Sequence, residues 1–218
     1  MKVLVLFAHP ALEKSRVNRA LLRVAEDTPG VTFHDLYQVY PDFLIEVARE
    51  QELLLEHDAI VFQHPFYWYS TPALLKEWQD LVLEHNWAYG ATGHALVGKT
   101  TFNVLSAGGP ETAYQAGGYN RFSIRQLLAP YEATAHLCGM RYLAPFVVHG
   151  TLRMRPEEIA PFARDYGRVL EALVADRLDL AEAARAPRLN EDVGALIRPT
   201  LESLPLAAKP PLPQDGPR

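Results

Sequence analysis

The chain has 218 residues, with 21 Lys+Arg set against 26 Asp+Glu and a formal net charge of −5. That length suits one domain with additions, and an apolar content of 49% supplies a sizeable core. The mildly acidic balance without a Lys/Arg block excludes a nucleic-acid groove, the single cysteine, Cys138, excludes an intramolecular disulfide and a cysteine-built zinc site, and no apolar run approaches the ~18–20 residues of a membrane span.

Val3-Leu4-Val5-Leu6-Phe7 is a continuous apolar run of the kind a parallel strand covered on both faces requires. With Met1-Lys2 before it the run mimics a secretion signal. It is too short for one and His9-Pro10 stops it, so the expectation is a buried strand in a soluble, cytoplasmic protein. Ser15 then caps a helix with apolar positions at Val17, Ala20, Leu21 and Val24. Thr28-Pro29-Gly30 ends it, and Val31 to Leu36 reads as a second strand. A charged helical stretch from Ile45 to Glu56 leads to a third strand at Ala59-Ile60-Val61-Phe62 and to an aromatic loop, Phe66-Tyr67-Trp68-Tyr69-Ser70. Thr71-Pro72 reads as the cap and first position of the next helix, with Leu74, Leu75, Trp78, Leu81 and Val82 apolar.

Thr100 to Ser106 is a fourth strand, ending in Ala107-Gly108-Gly109-Pro110. Helical pieces around Phe122–Leu128 and Tyr131–Leu137 close at Gly139; a fifth strand spans Leu143–His149, and a long helix Pro156–Leu180. This β-α alternation predicts an α/β, flavodoxin-like domain over residues 1–187, with a five-stranded parallel sheet in the order 2-1-3-4-5 and helices on both faces. Six prolines fall between Pro199 and Pro217, and residues 188–218 read as a Pro-rich C-terminal tail with little structure of its own. Its Leu189, Leu196, Ile197, Leu201 and Leu204 either lie along a partner subunit, the reading preferred here, or belong to a loose linker.

Ligands in such sheets bind outside the carboxyl ends of the strands, near the switch in strand order. That rule selects the loops His9–Asn18, Pro65–Ser70 and Ser106–Tyr114. The first has neither GxGxxG nor a Walker pattern; its Ser15, Arg16 and Asn18 either bind a phosphate at the helix N-terminus or only cap the helix. The four aromatics cannot all face a core from an extended loop, so some are exposed, packed on a partner or stacked on a planar ligand. Gly108 and Gly109 let the backbone come close to a ligand. The eight histidines form neither HxH nor HExxH, so no metal site is expected, and no GxSxG elbow points to a hydrolase.

Phe7-Ala8-His9-Pro10 with Ser15 and Asn18, and the long stretch Gln63 to Asp80, resemble the flavodoxin-like NAD(P)H:quinone oxidoreductases. Leu36-Tyr37, Tyr40-Pro41-Asp42-Phe43, Trp87-Ala88-Tyr89-Gly90 and Ala95-Leu96-Val97-Gly98-Lys99 narrow the likeness to the ancillary oxidoreductases of glutathione-regulated potassium-efflux systems. The resemblance implies a flavin, FMN or FAD with FMN favoured. His9, Ser15, Arg16, Val17 and Asn18 hold its phosphate and ribityl end, Phe66, Tyr67, Trp68 and Tyr69 border its ring, and Ser106, Ala107, Gly108 and Gly109 close the other edge. It implies hydride transfer from NAD(P)H through the flavin to a quinone, two electrons at a time, with Tyr114 as the catalytic residue facing the substrate. Where some members carry a histidine, this chain has Asn120. It also implies a homodimer, and a potassium-efflux membrane transporter as a partner that would hold the protein at the inner face of the membrane. Two other readings stay open: a flavin-binding regulatory subunit with incidental quinone reduction, and a one-electron carrier, against which His9-Pro10-Ala11-Leu12 and the modest charge speak.

Overall fold

In a computed structural model, which describes residues 1–199, the strands β1 (Val3–Phe7), β2 (Val31–Asp35), β3 (Ala59–Pro65) and β4 (Thr100–Ser106) form a parallel sheet in the order β2-β1-β3-β4. The fifth position beside β4 is filled by two short strands, β5 (Arg141–Tyr142) and β6 (Phe146–Val148). The flavodoxin-like order 2-1-3-4-5 is thus as expected, but the single fifth strand is not. Pro145 has no N–H to donate to a ladder, and the Ala144 N–H turns away to the Ala183 carbonyl, 2.9 Å distant.

The sheet is buried on both faces because its strands alternate between two apolar clusters. Val3, Val5, Ala59, Val61, Phe102 and Val104 pack with α1 (Arg16–Asp27) and α7 (Pro156–Val174); Leu4, Leu6, Ile60, Phe62 and Leu105 pack with α3 (Val47–Leu55), α4 (Ala73–Val82) and α6 (Ala129–Leu137). The short helices α2 (Leu36–Val39) and α5 (Ile124–Leu127) fill the connections, and no described helix is long and apolar enough to cross a membrane.

Three helix boundaries differ from expectation. Pro72 is the N-cap of α4, not its first residue: its ψ of 149° is extended, and its carbonyl accepts from Leu75 N–H at 3.1 Å. The helix expected from Phe122 shrinks to α5, opened by a capping box between Ser123 and Gln126. The last long helix stops at Val174, where Asp176 takes a left-handed φ of 54° and the Arg177 N–H closes back on Ala172 O.

The largest correction concerns the C-terminus. The packed body does not end at Pro187. After α8 (Leu180–Arg185) the chain returns to the sheet, burying Leu189, Val193 and Leu196, the last two in α9 (Val193–Leu196). Asn190 lies along the β6 edge, its Oδ1 accepting from Val147 N–H and its Nδ2 donating to Val147 O, each at 2.9 Å. Leu189 and Leu196 therefore serve this chain's own core rather than a partner subunit; Leu201, Leu204 and the rest of the expected tail, 200–218, lie outside the described residues. Leu189→Ala should cost about 2–4 kcal/mol by leaving a cavity in a fully buried site. A urea midpoint unchanged from wild type would show that this segment does not hold the fold.

Candidate functional site

Register carries the selected loops into one place. Pro65 is paired with Ser106 at the ends of β3 and β4, and the ladder continues beyond the strands: Phe66 N–H donates to Ser106 O at 2.9 Å, Ala8 N–H to Gln63 O at 3.0 Å, and Ala107 N–H to Val148 O at 2.8 Å. Between them opens a cleft of about 440 Å3, lined by His9, Lys14, Ser15, Arg16, Val17, Pro65, Phe66, Tyr67, Trp68, Ser106, Gly108, Thr151 and Leu152. That is the size range of a cofactor pocket.

One end gathers groups of the kind that suit an anion. Ser15 is the N-cap of α1 and its Oγ accepts from Asn18 N–H, leaving the Arg16 and Val17 N–H groups of the first turn without helical partners. Asn18 itself is buried and does not line the cleft. Its Nδ2 donates to Ser15 Oγ at 3.0 Å and to Ser106 Oγ at 2.7 Å, so it ties the first loop to the third, while its Oδ1 has no partner among the described residues. His9 Nδ1 accepts from Ala11 N–H at 3.1 Å, and burial holds the imidazole below its ordinary range despite Glu13. A neutral ring accepting at Nδ1 carries its proton on Nε2, a further donor at this end.

The aromatic loop is strained. Phe66 is buried, Tyr67 and Tyr69 are exposed, and Trp68 is 93% exposed. Ser70 N–H bonds Tyr67 O at 2.9 Å across a tight turn whose central residues, Trp68 and Tyr69, have φ of 50° and 62°. Two positive φ values in succession are the signature of a type I′ turn, which favours Asn-Gly and is costly for aromatic residues. Beneath the turn, His64 Nδ1 bonds Pro65 O at 3.0 Å, its Nε2 meets Asn103 Nδ2 at 3.1 Å, and Tyr142 donates to Asn103 Oδ1 at 2.6 Å. Full burial pulls the His64 pKa down to about 4, so this relay is neutral and fixes the carbonyl from which the loop springs.

The glycine pair forms the opposite edge. A Cβ on Gly108 would lie 3.2 Å from Leu152 Cδ1, and one on Gly109 would lie 3.2 Å from Tyr114 Cε2. Ala107 is buried behind them, and Gly109 faces an adjoining hollow of about 500 Å3 with Tyr114, Tyr119 and Asn120. Tyr69 donates to Asn120 Oδ1 at 3.0 Å. Burial raises the Tyr114 hydroxyl, with Tyr69 adding to the shift, so it stays a neutral donor.

Of the expected residues, the cleft gathers His9, Ser15, Arg16, Val17, Phe66, Tyr67, Trp68, Ser106 and Gly108. Gly109 and Tyr114 line the neighbouring hollow, Tyr69 is tied to it by its bond to Asn120, and Asn18 and Ala107 are buried. Missed by sequence reasoning were Lys14, Thr151, Leu152 and His149. The last three follow β6, whose carboxyl end obeys the same rule as the other strands. His149 packs its ring 5.5 Å from that of Tyr114. No group of three His, Cys, Asp or Glu able to hold a metal occurs among the described residues.

A model of the flavodoxin-like fold family, Flavodoxin_2, matches residues 1–170. The chain is 48% identical over 174 residues to the glutathione-regulated potassium-efflux system ancillary protein KefG of Yersinia enterocolitica, covering 80% of this chain and 95% of that protein. Among solved structures, general stress protein 14 of Treponema denticola in complex with FMN is 40% identical with a TM-score of 0.76, over 79% of this chain and 99% of that one. An NADPH-quinone reductase from P. pentosaceus is 36% identical with a TM-score of 0.71, over 78% and 97%.

Proposed function

The chain belongs to the flavodoxin-like family that includes the potassium-efflux ancillary proteins and NAD(P)H quinone reductases, and from that premise we propose that it binds FMN in the cleft and reduces quinones with NAD(P)H. The observation that carries this reading is the make-up of one continuous cleft: free N–H groups and cations at one end, aromatic rings along a wall, and a backbone edge kept bare by glycine. A flat anionic cofactor matches all three, and the solved relative with FMN shares the fold over nearly its whole length.

FMN bound here supplies hydride relay between a nicotinamide and a quinone. The chain's own residues do the rest. Ser15, Arg16, Val17 and Lys14 would hold the phosphate, with His9 Nε2–H as an added donor. Tyr67 and Trp68 would flank the ring, and Phe66 supports them from the core. The backbone of Ser106 to Gly109 would meet the ring edge and stabilise charge that develops there. Tyr114 would offer its hydroxyl proton to the quinone oxygen. Donor and acceptor would take turns on the same exposed face of the flavin, a ping-pong sequence. A homodimer fits the exposed aromatic side chains Trp68, Tyr119 and Phe122.

The likeness to KefG supports a second role, as an ancillary subunit of a potassium-efflux transporter. One experiment separates the readings. Purified protein supplied with FMN or FAD should show flavin absorption that bleaches with NAD(P)H and returns with a quinone, and heat should release FMN. Bound flavin that NAD(P)H leaves oxidised would favour the ancillary role alone, and failure to retain either flavin would overturn both uses of the cleft.

A further inference from the structure

His64 is a fully buried histidine that no step above uses, and it does not stand alone. On the sheet face that carries Ile60, Phe62 and Leu105, three adjacent strands each contribute one polar side chain to a single row: Tyr142 from β5, Asn103 from β4 and His64 from β3. The ring of Tyr131 stacks on His64 from α6, with centroids 5.8 Å apart and planes at 19°. Apolar side chains would cost less to bury here, so a polar row in this core calls for a reason.

The sense of the row follows from its end. The Pro65 carbonyl can only accept, so the His64 proton sits on Nδ1, 3.0 Å away, and the neutral ring accepts at Nε2. Asn103 then presents Nδ2 to that nitrogen, at 3.1 Å, which leaves its Oδ1 to the Tyr142 hydroxyl at 2.6 Å. Every group donates in one direction, from the sheet edge toward Pro65, and bonds in such chains polarise one another. Pro65 O also accepts from the N–H of Tyr67 at 3.0 Å, the residue that opens the turn in which Trp68 and Tyr69 have positive φ. Residues 67–70 are all exposed, so burial does little to hold them. A strained turn persists only where its surroundings over-determine it, and the row supplies a fixed point from below.

We propose that Tyr142, Asn103 and His64 are positioning residues for the aromatic turn: their relay is polar in order to hold Tyr67–Ser70 in its binding shape, and the fold does not need it. That the turn borders a flavin rests on the reading above; that the relay holds the turn does not.

The test compares His64→Phe with the triple variant His64→Phe, Asn103→Leu, Tyr142→Phe. Both are read without flavin, by urea unfolding and by amide exchange at Tyr67 and Ser70. His64→Phe alone leaves the Asn103 amide unpaired in the core and should unfold at lower urea. The triple variant removes the polar partners together, and its urea midpoint should return close to wild type. Exchange at Tyr67 and Ser70 should still be about tenfold faster than wild type in both variants, and added FMN should bind both about tenfold more weakly. A restored midpoint with wild-type exchange at both amides would overturn the proposal, because the relay would then serve only the core. Exchange raised equally throughout β3 and β4 would mark general loosening and overturn it as well. If the triple variant does not fold, Tyr142→Phe decides alone: it keeps the ring and removes one oxygen, and unchanged exchange at both amides overturns the proposal. Faster exchange at the turn in a protein whose wild type binds no flavin would keep the relay and remove the flavin reading.

Discussion

Glu50→Ala should lower the stability of the protein by about 3–5 kcal/mol, the cost of removing one partner from a buried charged network. Glu50 is completely buried in α3, where its Oε1 takes a hydrogen bond from Tyr40 Oη at 2.6 Å and meets His34 Nε2 at 2.9 Å, and its Oε2 accepts from Trp78 Nε1 at 2.8 Å. Alanine would strand all three donors between β2, α3 and α4. Burial by itself raises the Glu50 carboxyl, but the hydrogen bonds from His34, Tyr40 and Trp78 outweigh it and hold it below the usual carboxylate range. A carboxyl so depressed contributes stability that is fully present above its unfolded pKa of ~4.3 and is lost as pH falls through the lower folded value. Urea unfolding in steps from neutral pH to pH 3 should show that loss in wild type, and Glu50→Gln should lack this share of it. A cost under about 1 kcal/mol for Glu50→Ala at neutral pH would mean the three donors find other partners.

The second large effect is a trade between stability and binding. Replacing Trp68-Tyr69 by Asn-Gly gives the turn the residues its positive φ angles favour, and should stabilise the ligand-free protein by about 1–2 kcal/mol. The same change removes Trp68, whose ring lines the cleft, and Tyr69, which bonds Asn120 of the adjoining hollow. At about 1–3 kcal/mol per stacked ring, FMN affinity should fall roughly 10–100-fold. Thermal melts and flavin fluorescence titrations on the same preparations read both. A variant more stable and equally tight for FMN would remove the aromatic turn from the binding reading, and one less stable would deny that the turn is strained.

Much of this architecture was written in plain apolar runs. β1 and β4 declare themselves because both faces of each are covered, and the loops at their carboxyl ends stand out for residues that no core needs. β3 was read three residues short because Gln63, His64 and Pro65 are poor strand formers. They are held in the sheet by partners distant in sequence, such as Tyr166, which donates to Gln63 Oε1 at 2.9 Å. Two helix ends make the same point by contrast. α6 and α7 both close with a backward bond from the second residue past the cap, Met140 to Ala135 and Arg177 to Ala172. The first turns on Gly139, which a reader of sequence sees; the second turns on Asp176, which gives no such signal. The C-terminal segment escaped because Leu189, Val193 and Leu196 have helical spacing but only Val193–Leu196 is helical, a single turn between a Pro-containing stretch and the Pro-rich end of the chain. For the same reason Arg188 seemed to belong to a tail, and the contact between His149 and Tyr114, two residues 35 apart in the chain, had no local trace.

The side-chain amide of Asn190 has a consequence for how this molecule meets its neighbours. By offering Val147 one acceptor and one donor, it completes the β6 rim as a further strand would, with a single residue. An open rim is a template on which another polypeptide can extend the sheet, and such templating is a common route to aggregation. Here that rim is stoppered from within by the chain's own late segment. Self-association through continuous β-structure is hindered at the β6 margin by a side chain rather than by a strand.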